Sequence, residues 1–504
     1  MVDRQDLAAD IQAWEIHQDP LTAESLLERL FDAAAATFHD PAILRSIVLV
    51  LGALRRYDEC VLAMRAYLQI CLHAYKTSGS VDAQLLATTH HAVTFLGRAA
   101  REDLPKAEMA LEFAQTVQAV VKDVHVLGRA TFLLCLQGRK PWSECISLLS
   151  PSCELALAHI ALGCRQKALG VIKELLKHSN NQVLLILGNL LCAEEQYDRA
   201  AKAFAQVTSG ETLSQKRQVI FAQLALVDLV AQLDGPDAAL AKAKDVFVTF
   251  TQLFGAQQTT PSIPVIVEPS RDPPRSQPAS NHRSSSFHLG ALRSQPSLLL
   301  RKSASSRSLV QRHRHVSAPV QLQELLNAVE EPREESPLAT QQREINELIA
   351  SCWLRVARYA AEVDERGDAL QALSEAQTIS GATSQVLLAQ CRLNIKLGNA
   401  SPAQIESRFE VLLQRDDGDE HASLAYATYL MDRTEPAYAR AYDLLAPWTS
   451  YKQTLDAQLW LKFGQLCEAR HETERAQEAY WRALELAEVE GVLPWTELLS
   501  ACAY

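Results

Sequence analysis

The sequence predicts an all-α protein, a solenoid of stacked antiparallel helix pairs, and three observations lead to this prediction. Only 18 glycines and 20 prolines occur among 504 residues, too few for the many turns of a β-sandwich or barrel. No proline occurs between Pro151 and Pro236, a stretch too long for a design of short strands. A pattern of large and small apolar residues also recurs with a period of about 32 residues.

Residues 181–207 show this pattern on two predicted helices joined by a short turn. Leu187 and Gly188 lie on the first helix, where the small glycine leaves room for a second helix to approach closely. Ala200 and Phe204 lie four residues apart on the second helix, so both face the first helix and the ring fills the space above the glycine. This order of residues is typical of tetratricopeptide repeats, in which each helix pair stacks on the next.

The same order recurs elsewhere along the chain. Residues 457–488 are the cleanest match and supply Trp460, Gly464, Ala476, Tyr480 and Ala483. Residues 350–381 supply Trp353 and Ala369 at the corresponding positions. Two fair matches lie at 149–180 and 41–71, and weaker ones near 88–120, 219–250 and 418–446. We therefore expect repeats along most of the chain.

The repeat pattern stops after residue 255. Residues 256–319 are rich in Ser, Pro and Arg, and nine basic residues face one acidic residue within 270–318. Residues 270–318 carry +8, so the remainder of the chain carries −19 of the net charge of −11. A segment of this composition cannot bury enough apolar surface to offset its chain entropy and is predicted to be disordered. The predicted organisation is an N-terminal array (1–255), a basic linker (256–319) and C-terminal repeats with a capping tail (320–504).

The linker contains candidate phosphorylation sites. Ser317 has an arginine three residues before it and a proline two residues after it, a spacing that resembles a 14-3-3 docking motif. Ser303 and Ser305 follow Arg301-Lys302 and resemble sites of basophilic kinases. The basic residues also predict attraction to an anionic membrane surface, which phosphorylation would weaken. The alternative is that the linker is only a solvated spacer.

The sequence lacks the motifs that carry catalysis or metal binding. It contains no GxGxxG, phosphate-binding loop, HExxH or GxSxG motif. His90-His91 has no thiol or carboxylate partner at metal-ligand spacing, and the 11 cysteines form no CxxC pair, which favours buried, reduced thiols. We predict a protein that is not an enzyme, without catalytic, cofactor-binding or metal-binding residues and without a nucleic-acid partner. With neither a signal peptide nor a membrane-spanning run, it is expected in the cytoplasm.

Some tetratricopeptide proteins bind the C-terminal carboxylate of chaperones through polar residues on their first helices. The corresponding positions are Leu185 and Asn189 in the 181–207 unit, and Leu461 and Gln465 in the 457–488 unit. Because leucines stand where this clamp needs polar side chains, a chaperone adaptor is not favoured.

The order of parts resembles the scaffold subunit of the plasma-membrane phosphatidylinositol 4-kinase complex, the tetratricopeptide repeat protein 7 type. The tightest local match is 463–495, a Gly-containing helix, an Ala- and aromatic-containing helix, an ALEL run and the apolar end Val492-Leu493-Pro494-Trp495. Residues 356–380 also resemble the family's repeat after the insertion. Members of the family are longer, so the resemblance is to a shorter form, and the sequence leaves open whether every partner contact of the family is kept.

The resemblance implies a non-catalytic scaffold that is cytoplasmic and peripheral at the plasma membrane. It implies two protein partners, the catalytic subunit of a phosphatidylinositol 4-kinase and a membrane-anchored peripheral protein, with roles in phosphoinositide supply and endocytosis. Because the surface outside the linker is acidic, membrane contact is expected to be indirect or to run through the basic linker. The alternative is a repeat adaptor of another assembly, such as a trafficking or ubiquitin-ligase complex.

Overall fold

The computed structural model describes residues 20–255 and 337–502, together with residues 7, 9–11 and 14. Short gaps fall at 38–39, 80–81, 101–103, 123, 138, 179, 209, 211, 416–419, 434 and 450–453. The described part consists of α-helices joined by short turns, and it contains no strand. Its helices are long enough, and its turns short enough, for a tightly stacked array.

The helices before the insertion are α1 (Pro20–Ala36), α2 (Pro41–Ala53), α3 (Tyr57–Ser78), α4 (Leu85–Ala99), α5 (Leu104–Val121), α6 (His125–Leu136), α7 (Trp142–Leu148), α8 (Cys153–Ala161), α9 (Arg165–Leu175), α10 (Asn181–Ala193), α11 (Tyr197–Ala205), α12 (Leu213–Asp234) and α13 (Pro236–Phe254). The helices after it are α14 (Pro337–Glu362), α15 (Arg366–Ser380), α16 (Ser384–Leu397), α17 (Pro402–Arg415), α18 (Glu420–Met431), α19 (Tyr438–Thr449), α20 (Ala457–Ala469), α21 (Thr473–Ala487) and α22 (Trp495–Cys502).

Helices α2 to α21 pack as ten successive pairs, from α2 with α3 to α20 with α21. The first helix of each pair also contacts the first helix of the next pair along the whole array. The second helices mostly contact first helices and lie on the outer side. This arrangement curves the array, with the first helices lining its inner surface. The prediction of an all-α solenoid is confirmed.

Local sequence explains where the helices begin and turn. Asn180 accepts a hydrogen bond from the Gln182 backbone at the start of α10, and Thr212 with Gln215 forms a capping box at the start of α12. A turn with one residue at positive φ joins the helices of seven pairs, at Arg55, Gly163, Glu195, Gly235, Asp364, Gly398 and His471. This recurring turn keeps the two helices of a pair antiparallel and in contact.

The array continues across the insertion. Helix α13, before it, packs directly against α14, after it, and the ring centroids of Phe247 and Trp353 lie 4.5 Å apart. One continuous cluster of buried apolar side chains runs from Phe132 to α16 and includes α22. The boundaries 255 and 320 remain predictions, because residues 256–336, with Ser303, Ser305 and Ser317, lie outside the described part.

The curvature brings distant pairs together. Arg55, in the turn between α2 and α3, forms an ion pair with Glu344 on α14. Arg482 on α21 donates a hydrogen bond to the Ala161 carbonyl at 2.8 Å, and Arg165 on α9 donates one to the Glu488 carbonyl at 3.1 Å. Both contacts join pairs that are six pairs apart, so the array coils back on itself.

Candidate protein-binding groove

The predicted repeat residues lie at the contact between the two helices of their pairs. A Cβ atom on Gly188 would lie 2.5 Å from the Phe204 ring, and one on Gly464 would lie 2.6 Å from the Tyr480 ring. Only glycine allows this close approach, so each aromatic ring rests on the backbone of the facing helix. Ala200 is fully buried beside this contact.

The other predicted repeat residues are mostly buried as well. Trp460 is 3% exposed and donates an indole hydrogen bond to the Thr454 carbonyl at 3.1 Å. Leu187 and Tyr480 are partly buried, and the remaining side chains of the set are buried: Trp353, Ala369, Ala476 and Ala483. These residues hold the repeats together and leave binding to other side chains.

The inner surface of three successive first helices forms a groove lined by polar side chains. This inner groove consists of α10, α12 and α14 and presents Gln182, Asn189, Arg217, Gln218 and Arg355. Asn189 is 4% exposed, Gln218 4% and Arg355 8%, which is unusual for polar residues unless they are paired. Each of these three side chains forms a hydrogen bond or an ion pair with the chain's own C-terminal segment.

The chain's own C-terminal segment, residues 488–502, lies in the inner groove. The Leu493 backbone N–H donates to Asn189 Oδ1 at 2.9 Å, and Asn189 Nδ2 donates to the Leu493 carbonyl at 3.4 Å. A Cβ on Gly491 would lie 2.3 Å from Asn189, so only glycine fits at this bend. Asn189 therefore binds the main chain of this bend through both the oxygen and the nitrogen of its side chain.

Helix α22 follows this contact and packs on α10 and α12. Gln182 donates to the Cys502 carbonyl at 3.0 Å, and Gln218 donates to the Ala501 carbonyl at 3.2 Å. Arg217 donates to Ser500 Oγ at 2.6 Å. The end of α22 is thus held mainly through its main chain.

A buried ion network joins the segment to both halves of the array. Arg355 on α14 donates to Asp228 on α12 at 2.9 Å and also pairs with Glu497 on α22. Burial lowers the pKa of Arg355, but the charges of Glu497 and Asp228 outweigh it and raise the pKa above its ordinary value. Asp228 also accepts from Arg358 and Tyr359.

Apolar contacts also hold the segment in the inner groove. Leu493 and Leu498 are each 1% exposed, and Ala501 and Cys502 are buried. A cavity of about 80 Å³ lies beside the segment, between Leu493 and Trp495, the start of α18 and the Leu455–Asp456 turn. The segment is thus closely packed along α22 and less completely packed at this cavity.

A second region of the array has several basic groups close to Glu344 on α14 and to His90 on α4. Burial opposes ionisation of Glu344, but the hydrogen bond from Arg55 and the charges of Arg55 and Arg217 hold its pKa below the usual value. Burial lowers the pKa of Arg98 in the same region. Burial and the nearby Arg129, whose Nη1 lies 2.9 Å from His90 Nε2, lower the pKa of His90 to about 4.

The described part offers neither a metal site nor a membrane-spanning helix. Within it, no group of three or more His, Cys, Asp or Glu side chains is placed to hold a metal ion. None of its helices is long and apolar enough to cross a membrane. All 11 cysteines are free, and Cys164 alone among them is partly exposed.

Comparison with known proteins gives fold-level likeness only. No protein-family model and no curated protein matches the chain. Among solved structures it is similar to Ypp1, at 11% identity and a TM-score of 0.47, over 93% of this chain and 62% of that one. It is similar to the human IFIT1 dimer with m7Gppp-AAAA (13%, TM-score 0.36, 95% and 99%) and to Naa15/Naa10 bound to HypK-THB (11%, 0.22, 94% and 68%).

The fold and groove define the class of protein. Ten stacked helix pairs, with glycine–aromatic contacts in the pairs of Gly188 and Gly464, make this chain a tetratricopeptide-like helical-repeat protein whose inner groove holds its own C-terminal segment. It spans 62% of the length of the Ypp1 chain.

Proposed function

We propose that the chain is a non-catalytic scaffold that recruits and stabilises a phosphatidylinositol 4-kinase at the plasma membrane and so supports phosphatidylinositol 4-phosphate synthesis. The observation that carries this proposal is the run 463–495, whose order of residues resembles that scaffold family. A rigid solenoid supports the role, because a preformed surface binds a large partner without the entropic cost of ordering a flexible one.

The test is affinity purification of the tagged full chain from cells, followed by quantitative mass spectrometry. We expect a phosphatidylinositol 4-kinase and a membrane-anchored peripheral protein at near-stoichiometric amounts. An unrelated helical-repeat protein with the same tag is the control. Absence of the kinase among stoichiometric partners contradicts the proposal, and components of a trafficking or ubiquitin-ligase assembly in its place identify the alternative adaptor role.

A second measurement tests the consequence in cells. Depletion of the chain is expected to lower phosphatidylinositol 4-phosphate at the plasma membrane, and re-expression is expected to restore it. An unchanged lipid level after depletion contradicts the proposed role, even if the kinase copurifies.

We infer that membrane contact is indirect or runs through the basic linker, because the chain outside residues 270–318 carries −19. Each basic residue near an anionic surface contributes about 1 kcal/mol. Co-sedimentation with phosphatidylserine vesicles separates the two routes. Salt-sensitive binding that disappears when Arg301, Lys302, Arg312 and Arg314 are changed to Gln supports the linker, and no binding supports a protein anchor.

Phosphorylated Ser317 is proposed as a 14-3-3 docking site. The full chain, phosphorylated by a basophilic kinase, is expected to bind 14-3-3, and Ser317→Ala is expected to abolish binding. Ser303→Ala and Ser305→Ala are the matched controls within the same linker. If the Ser317→Ala chain binds 14-3-3 as well as the wild type does, the docking site lies at another residue.

A further inference from the structure

The inner groove supplies donors for the end of a helix. The last carbonyls of any α-helix lack partners within the helix. At the end of α22, Gln218 and Gln182 donate to the carbonyls of Ala501 and Cys502, at 3.2 and 3.0 Å. Arg217 places a positive charge there, where a helix carries partial negative charge. These contacts recognise a helix terminus as such, because most of them are to main-chain atoms.

Two features of α22 add sequence selectivity. Glu497 pairs with the buried Arg355, so a carboxylate is favoured at that position. Apolar or small side chains follow one, two, four and five positions later, and all four are buried: Leu498, Leu499, Ala501 and Cys502. The groove therefore fits an amphipathic helix with one acidic residue about one turn and a half before its end.

The contacts of the groove also allow the segment to leave. Arg355 keeps Asp228 as a partner at 2.9 Å when Glu497 departs, so no buried charge is left unpaired. Helix α22 has eight residues, too few to be stable alone, so departure releases a disordered segment and regains its chain entropy. A cavity of about 80 Å³ lies beside Leu493 and Trp495, so the packing around this part of the segment is incomplete.

We propose that the inner groove is a receptor for the carboxyl-terminal end of a partner protein's amphipathic helix, and that residues 488–502 are an internal occupant which that helix displaces. The partner helix carries a carboxylate against Arg355 and apolar side chains at the positions of Leu498 and Cys502. The tether gives the internal segment an effective concentration in the millimolar range, so the partner must bind tightly or be held nearby. This inference does not depend on the identity of the proposed kinase partner.

The test uses the full chain in reducing buffer and a fluorescein-labelled synthetic peptide with the sequence of residues 488–504. In the Glu497→Lys chain the internal segment is repelled by Arg355, whereas the groove is unchanged. This chain is expected to bind the peptide about tenfold more tightly than the wild type in fluorescence anisotropy. Glu474→Lys makes the same charge change on α21 outside the groove and is expected to behave as wild type. A peptide with Lys in place of Glu497 is expected to bind neither chain.

Equal affinity of the wild-type and Glu497→Lys chains, or equal binding of the two peptides, overturns the proposal. Circular dichroism establishes that the variants are folded. A second measurement uses the wild-type chain alone: an isotopically distinct 488–504 peptide in excess is expected to accelerate hydrogen exchange in the chain's own segment 488–502. Unchanged exchange overturns the proposal, as does light scattering that shows a dimer formed by segment exchange, since the occupant would then be a second copy.

Discussion

The rings of Phe247 and Trp353 lie 4.5 Å apart, so helices on the two sides of residues 256–336 meet in one apolar core. Trp353 is 8% exposed and belongs to the same buried cluster as α13. The scaffold is thus continuous although the repeat pattern of the sequence stops after residue 255, because α13 packs directly on α14.

This contact predicts that cleavage between the halves leaves them associated. Trypsin is expected to cut first in the Arg-rich linker, and the two fragments are expected to elute together in size-exclusion chromatography. Trp353→Ala removes the ring at their contact and is expected to cost about 3–5 kcal/mol of unfolding free energy in urea. Trp481→Ala removes the same side chain where it is 68% exposed and is expected to change stability by less than about 0.5 kcal/mol. Fragments that separate without denaturant contradict this prediction.

The glycine–aromatic contacts predict opposite effects for two similar substitutions. Gly188→Ala places a Cβ 2.5 Å from Phe204 and is expected to destabilise the chain by about 1–3 kcal/mol. Gly170→Ala, on α9, meets nothing within 4 Å and is expected to stabilise it by about 0.5–1 kcal/mol. Urea unfolding measures both. A neutral or stabilising effect of Gly188→Ala contradicts the assigned close approach, and a smaller loss in the Phe204→Leu background supports it.

The Asp228–Arg355 network predicts a large loss when one partner is removed. Asp228 is 5% exposed and accepts from Arg355, Arg358 and Tyr359, so Asp228→Ala removes the acceptor of three donors at once and is expected to cost about 3–5 kcal/mol. The control is Glu410→Ala, whose pairing with Arg440 at 2.6 Å lies between side chains that are 49% and 47% exposed. That surface pair is expected to contribute at most about 1 kcal/mol. Similar losses for the two variants in urea unfolding contradict this prediction.

Thiol reactivity is expected to be concentrated at one cysteine. Burial raises the pKa of Cys60, Cys153 and Cys352 to about 12, which keeps these thiols protonated and unreactive at neutral pH. Cys164 is partly exposed in the turn after α8. Brief alkylation of the native chain is expected to label Cys164 first, and Cys164→Ser is expected to remove the fast phase. Mass spectrometry identifies the site, and a fast phase that persists in the variant contradicts the prediction.

His90 predicts an acid-side loss of stability. Burial and Arg129 lower its pKa from 6.5 to about 4, so in this interval the unfolded chain binds a proton that the folded chain does not. Its contribution to stability is therefore present above pH 6.5 and is lost as the pH falls toward 4. Exchange at the imidazole C2 position, followed by mass spectrometry, measures the midpoint. Arg129→Gln is expected to raise it, and a wild-type midpoint near 6.5 contradicts the assignment.

Much of the fold was predictable because each helix pair is encoded locally. Pairs at 181–205 and 457–487 follow from small and aromatic residues at fixed spacing on neighbouring helices. The pairs α6–α7 and α16–α17 were missed, since they lack the glycine–aromatic signature. Helix α14 begins at Pro337, well before the predicted 350–381 unit, because no further proline and no glycine lies between Pro337 and Trp353 to end the helix.

The groove was predictable only in part. The repeat pattern predicts that Asn189 lies on the inner surface. In chaperone-binding repeats the corresponding position contacts a free C-terminal carboxylate. In the structure Asn189 instead binds the Leu493 main chain. Nothing in the local sequence signals Arg355, Gln218 or Arg217 as groove residues, since polar residues on a helix are usually solvated.

The sequence by itself determined that the chain is a stack of helix pairs, because the contacts within a pair join neighbouring helices and follow helical spacing. Only the tertiary structure decided how the stack curves and what lies inside it. Asn189 and Leu493 are 304 positions apart, and their contact exists because small rotations between successive pairs add up to a coil. The curvature of the array depends on every interface between pairs, so the sequence of a single repeat does not encode it.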